Sequence, residues 1–182
     1  MGADQTETTI SSERVYDGRV VNLRVDTVQF PNGNTGKREV VEHSGAVAVV
    51  AMPDRETVLL VRQWRTPIGR PLLEIVAGGI EEGEDPATSA LRELREEIGY
   101  TAARLIPLYE AFVAPGYCTE KIYGFLALDL THDPKAPDAD ENVETVRMTL
   151  QEALTMVQKC EIEDAKTIAG LTLAERVLAK LP

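Results

Sequence analysis

Residues 78–100 read GGIEEGEDPATSALRELREEIGY, and this stretch decides how the rest of the chain is folded. Asp85 is a good N-cap. Pro86 suits a first helical turn, where its missing N–H would be unpaired anyway, and Gly99 can take the left-handed conformation that ends a helix. The spacing predicts a helix from Pro86 to about Ile98. At roughly 100° per residue, Ala87, Ala90, Leu91, Leu94 and Ile98 fall on one side, and Glu93, Glu96 and Glu97 gather on another. Glu93 and Glu97, one turn apart, can reach one hard cation, and such cations prefer carboxylate oxygens. Arg92, one turn before Glu96, can hold that carboxylate. Like charges at helical spacing repel, so surface optimisation does not favour this cluster. The run Leu72–Val76 leads into Ala77-Gly78-Gly79, which sets the acidic loop at the end of a buried strand.

Working outward, the chain has 182 residues, of which 43% are hydrophobic, enough for a globular domain with a proper core. Lys+Arg 19 against Asp+Glu 30 gives a net charge of −11, which argues against nonspecific binding to nucleic acid or to an acidic membrane. The two cysteines, Cys118 and Cys160, have no metal-ligand or redox spacing, so reduced thiols in a cytoplasmic protein are expected. No apolar segment is long enough to span a bilayer, and the first residues are polar rather than signal-like.

Residues 1–13 read as a polar tail. Val21, Leu23 and Val25 alternate with polar residues, and the turn-rich PNGNTG at Pro31–Gly36 separates them from a second run ending at His43, so residues 14–43 are expected to form a strand pair. Within residues 44–182, strands are expected at Ala46–Met52, Thr57–Arg65, Leu72–Val76, Leu105–Val113, Lys121–Leu130 and Thr145–Leu150. Thr149 and Glu152 make a capping box for a helix to Lys159, and Asp164 caps a last helix running towards Leu181. Thr131–Glu144 shows no periodicity and reads as a loop. Trp64 is expected in the core, and His43 and His132 are expected to be ordinary side chains. Mixed strands with helices on both faces give an α/β class, an α/β/α sandwich with a mixed sheet and an N-terminal β-hairpin extension.

Gly78, Glu84, Arg92, Glu93, Leu94, Glu96, Glu97 and Gly99 fall at the spacing of the Nudix box, and the chain resembles a Nudix hydrolase over nearly its whole length. Tyr100 stands where that family usually has an aliphatic residue, at a packing position. Gln63-Trp64-Arg65, Ala114-Pro115-Gly116, Thr119-Glu120-Lys121 and Asp140-Glu141-Asn142 resemble the ADP-ribose pyrophosphatase branch, for which Pro115 is the marker. The resemblance implies hydrolysis of the diphosphate of ADP-ribose, a small-molecule nucleoside diphosphate sugar. Other nucleoside diphosphate sugars, dinucleoside polyphosphates and a non-catalytic nucleotide-binding module are the alternatives.

Mg²⁺, or Mn²⁺ or another divalent cation, is the implied cofactor. Glu93, Glu97 and the Ala77 carbonyl would be its ligands, with help from Glu96. A general base is implied at Glu141, with Glu144 second. Arg65 would meet a phosphate or, equally, close an end-of-strand ion pair; Arg38 would meet the adenine side and Glu120 the ribose or adenine, with Pro115 and Gly116 beside the substrate. Glu84 would lie near the metal or close a salt bridge in the loop. The resemblance also implies a homodimer paired through the N-terminal strands, which would otherwise leave an exposed sheet edge.

Overall fold

The computed structural model describes residues 5–134 and 143–182, and its contacts divide the chain into two compact units. One holds Met1–Gly45 with Phe112–Lys121, and the other holds Ala46–Ala111 with Ile122–Pro182. The first unit draws in Phe112–Lys121 from a distant part of the sequence, a pairing that no local pattern announces.

In the first unit, β1 (Thr8–Asp17), β2 (Asn22–Gln29) and β3 (Thr35–Glu42) form an antiparallel sheet in that order. The expected hairpin is β2–β3, in register from Asn22↔Glu42 to Gln29↔Thr35. Its turn closes with the Gly33 N–H donating to the Phe30 carbonyl at 2.9 Å, and Gly33 has φ 85°, where a glycine is at no disadvantage. The expected polar tail is corrected here, because β1 takes in residues 8–13 of it and pairs with β2. All its residues are exposed, so it has no apolar periodicity to read, and backbone hydrogen bonds to β2 hold it. Arg14 and Arg24 both reach Glu42, at 2.5 and 2.8 Å.

The second unit is a mixed sheet between helices. Its central path runs β10 (Val143–Thr149), β5 (Thr57–Arg65), β4 (Ala46–Ala51), β9 (Lys121–His132) and β8 (Tyr100–Phe112). β6 (Arg70–Glu74) pairs with β5 and β7 (Val76–Gly79) with β4, so the single strand expected at Leu72–Val76 divides between two partners. β4 and β9 are parallel, from Ala46↔Ile122 to Ala51↔Ala127. Alternate residues of β4 supply two cores, one on each face of the sheet. Ala48, Val50 and Met52 just beyond the strand pack with Leu150, Leu154, Leu171 and Ala174, from α2 (Leu150–Gln158) and α3 (Ala165–Leu178). Val47, Val49 and Ala51 pack with Ala90 and Leu94 of α1 (Pro86–Glu97). A strand buried on both faces needs a continuous apolar run, and Ala46–Met52 is one.

The helices begin where short-range signals place them. Thr149 and Glu152 form both hydrogen bonds of the capping box, and Asp164 accepts from the Thr167 N–H at 3.0 Å. The expected loop at Thr131–Glu144 is shorter than read, because β9 continues to His132 and β10 begins at Val143. Among the described residues no helix is long and apolar enough to cross a membrane. Cys118 and Cys160 are free thiols.

Candidate active site

The acidic helix α1 starts at Asp85, whose carboxylate accepts from the Ala87 and Thr88 N–H groups at 3.0 and 3.1 Å. It stops at Ile98, and Gly99 follows with φ 74°. Ala90, Leu94 and Ile98 are buried as the spacing requires, and Leu91 is half-buried. Ala87, expected on the same side, is exposed in the first turn. Ser89 and Glu93 are buried on the neighbouring side, against Gly79 and Gly78 at the end of β7.

Arg92 is the centre of that polar face. Its Nε and Nη2 donate to the two oxygens of Glu84 at 3.1 and 3.0 Å, and Nη1 donates to Glu93 at 2.6 Å and Glu96 at 2.9 Å. Nη2 also donates to the Gly79 carbonyl at 2.8 Å and to the Ser89 hydroxyl at 3.2 Å. One guanidinium thus ties loop to helix and compensates one of the three negative charges it touches. Its hydrogen bond, above all, holds the Glu84 carboxyl below the usual carboxylate range. Of the two roles expected for Glu84, the loop salt bridge is present.

Two further contacts bring the strand end to the helix. Glu93 is only 6% exposed, and a Cβ at position 78 would overlap its carboxylate, so this approach needs glycine. Glu97 accepts from the Ala77 N–H at 3.3 Å, one strand residue away. Glu93 and Glu97 therefore both meet the end of β7, and Glu96 is tied to Glu93 through Arg92. Among the described residues no three His, Cys, Asp or Glu groups stand together at metal-binding separation. In kind the donors are those a hard divalent cation prefers, carboxylates and backbone carbonyls, and Glu93 among them is buried and held close against Gly78.

Arg65, at the end of β5, is bound edge-on to Glu74, with Nε to one oxygen and Nη2 to the other, both at 2.7 Å. Lys166 approaches the same carboxylate, which is 1% exposed. Burial by itself would raise the Glu74 carboxyl, but hydrogen bonds and charge from Arg65 and Lys166 outweigh it and hold the group below its ordinary value. Sequence reasoning missed Glu74 and Lys166. The one signal was an acid inside the apolar run Leu72–Val76, which at a buried position requires a cation.

The other expected site residues divide between the units. In the first, Arg38 makes a two-pronged pair with Glu7, at 2.9 and 2.5 Å, and lies over the Phe30 ring at 5.2 Å. Pro115 and Gly116 are exposed in a turn closed by the Tyr117 and Cys118 N–H groups donating to Ala114. The Glu120 carboxylate lies 4.0 Å from His43 Nδ1, which accepts from the Gly45 N–H at 3.1 Å. In the second, Trp64 is 59% exposed, which overturns its expected place in the core: β5 leaves the sheet interior after Val61. Glu144 lies on β10, 3.5 Å from Arg62. Glu141 falls outside the described residues. His132 meets Tyr100 edge to face at 5.4 Å.

The sequence motif and this geometry agree with comparison to known proteins. The NUDIX domain model matches residues 42–171, and the model of the nucleoside diphosphate sugar hydrolase N-terminal domain matches residues 7–41. The chain belongs to the Nudix family of pyrophosphohydrolases. It is 44% identical over 179 residues to an ADP-ribose pyrophosphatase of Bacillus subtilis (strain 168), a match covering 96% of this chain and 97% of the relative. It is 42% identical over 173 residues to a methanol dehydrogenase activator of Bacillus methanolicus, covering 94% of each. A crystal structure of an ADP compounds hydrolase superposes with a TM-score of 0.87 at 26% identity, over 98% of this chain and 97% of that one.

Proposed function

We propose that the protein hydrolyses ADP-ribose to AMP and ribose 5-phosphate. The observation that carries the chemistry is the convergence of Glu93 and Glu97 on the Ala77–Gly79 strand end, and the likeness to the Bacillus subtilis enzyme supports the substrate. Glu93, Glu97 and the Ala77 carbonyl, with Glu96 beside them, would hold Mg²⁺, or Mn²⁺ in its place. A divalent cation there supplies neutralisation of the diphosphate charge and Lewis acidity towards it.

The protein's own residues do the rest. Arg92 fixes Glu93 and Glu96 in orientation, so neither must be ordered when substrate arrives. Arg65, held by Glu74 on one edge, keeps Nη1 without a partner among the described residues and offers it to a phosphate oxygen. Glu141 accepts the proton of the attacking water as the bridging P–O bond breaks. Arg38, Pro115, Gly116 and Glu120 serve the nucleoside side. Turnover of ADP-ribose, other nucleoside diphosphate sugars and nucleoside triphosphates with Mg²⁺, with products identified, tests the assignment. Faster hydrolysis of a nucleoside triphosphate than of ADP-ribose overturns it. The match of residues 7–41 favours nucleoside diphosphate sugars as the wider class.

We also propose a homodimer paired through the N-terminal strands, acting in the cytoplasm. β1 exposes Ile10, Val15 and Tyr16 along a sheet edge, the kind of surface that a second copy covers.

A further inference from the structure

Lys166 lies on the first turn of α3, 92 residues beyond the carboxylate it binds. It is anchored from several directions. Nζ is 3.1 Å from the Asp164 carboxylate, and its carbonyl accepts from the Tyr109 hydroxyl at 3.0 Å. The next residue, Thr167, accepts from the Ile75 N–H at 2.9 Å and donates to Asp164 at 2.5 Å. The start of α3 is therefore pinned to the junction of β6 and β7, two residues before Ala77. Between them lies Glu74, sharing one oxygen between Lys166 and Arg65 and giving the other to Arg65 alone.

We propose that Lys166, acting through Glu74, is a positioning residue that directs Arg65 at the substrate diphosphate, and this rests on the phosphate-binding role given to Arg65 above. Two physical effects carry it. The first is geometric: a carboxylate gripped by two cations from different elements is restrained from rotating, so the guanidinium it holds by Nε and Nη2 is restrained too, with Nη1 outside the gripped edge. The second is electrostatic. Arg65, Lys166, Glu74 and Asp164 sum to zero charge, and removing the lysine charge leaves the group at −1. Glu74 would then be balanced by Arg65 alone, and the field presented to a polyanion would weaken. Glu74 above all, by its hydrogen bonds, and Glu97 and Asp164 by their charge favour the cationic form of Arg65. Arg92 cannot replace it, being taken up by Glu84, Glu93 and Glu96.

The test is a double-mutant cycle with ADP-ribose and Mg²⁺ on the full chain, with thermal unfolding of every variant. Lys166→Met is expected to raise KM about tenfold while kcat changes by less than roughly threefold. Lys166→Arg should restore most of the affinity, and Lys166→Gln, which keeps a donor without charge, should behave like Lys166→Met. In an Arg65→Ala background, Lys166→Met should raise KM no further. An equal rise in both backgrounds, or a lower Tm with unchanged KM, overturns the proposal. Arg65→Ala with unchanged KM removes both it and the role of Arg65. Parent protein that does not turn over ADP-ribose refutes the substrate reading separately, and the cycle is then decided on the nucleoside diphosphate sugar that it does hydrolyse.

Discussion

Replacing Gly78 by Ala isolates the most demanding contact in the site. The backbone at Gly78 lies outside the left-handed region, so alanine fits the chain itself, and the nearest obstacle is the Glu93 carboxylate that the new methyl would overlap. Glu93 must swing away, and with it goes the 2.6 Å hydrogen bond from Arg92. A charge-assisted hydrogen bond contributes about 1.5–3 kcal/mol. In a chain of this length, each kcal/mol corresponds to roughly 2–4 °C, so Tm should fall by about 3–12 °C. The effect on turnover should be larger, on the order of 100-fold or more in kcat, because displacing a catalytic group by an ångström removes its alignment. Shortening the displaced side chain should recover part of the stability, since Glu93→Asp withdraws the carboxylate by about 1.5 Å, one carbon–carbon bond. Calorimetry and steady-state kinetics on Gly78→Ala, Glu93→Asp and the double variant measure this. Gly78→Ala with parental Tm and kcat would refute the reasoning.

Glu97→Gln keeps shape while removing charge, so kcat should fall by about 100-fold or more with Tm little changed; near-normal turnover would remove Glu97 from the ligand set. Glu141→Gln should lower kcat far more than KM, and an unchanged kcat there with a loss in Glu144→Gln would move the base to Glu144. Glu74→Ala leaves Arg65 and Lys166 without their shared carboxylate and should cost about 3–5 kcal/mol in denaturant unfolding. Because the Glu74 carboxyl is held below its unfolded value of about 4.3, the stability it gives is complete above that pH and is lost as pH falls through the folded value, so the parent should lose more stability than Glu74→Gln on acidification below about pH 4. Removing residues up to Gln29 should yield a monomer with weaker affinity for ADP-ribose, measured by sedimentation and titration; a truncated protein that stays dimeric and binds normally contradicts the dimer.

The acidic helix was legible because the bonds that define it span three or four residues. Asp85 meets Ala87 and Thr88, Thr149 meets Glu152, and Gly99 supplies its own backbone conformation, so each signal is complete within one short window of sequence. The same locality makes the Arg92–Glu96 pair readable, one turn apart on one helix. The apolar run of β4 likewise announced a strand, though not that β9 would lie parallel beside it. What the sequence could not settle depends on residues far apart in the chain. Arg65 reads equally well as a free cation or a strand-end pair until β6 places Glu74 against it and α3 brings Lys166 to the other side. Trp64 reads as core by composition and is exposed because the sheet ends beside it. β1 buries no residue and shows no regular apolar alternation, and only the open edge of β2 makes it a strand. Caps and turns are set by a few neighbouring torsions, whereas burial and ion pairing depend on which distant element arrives, and that is decided only by the packed fold.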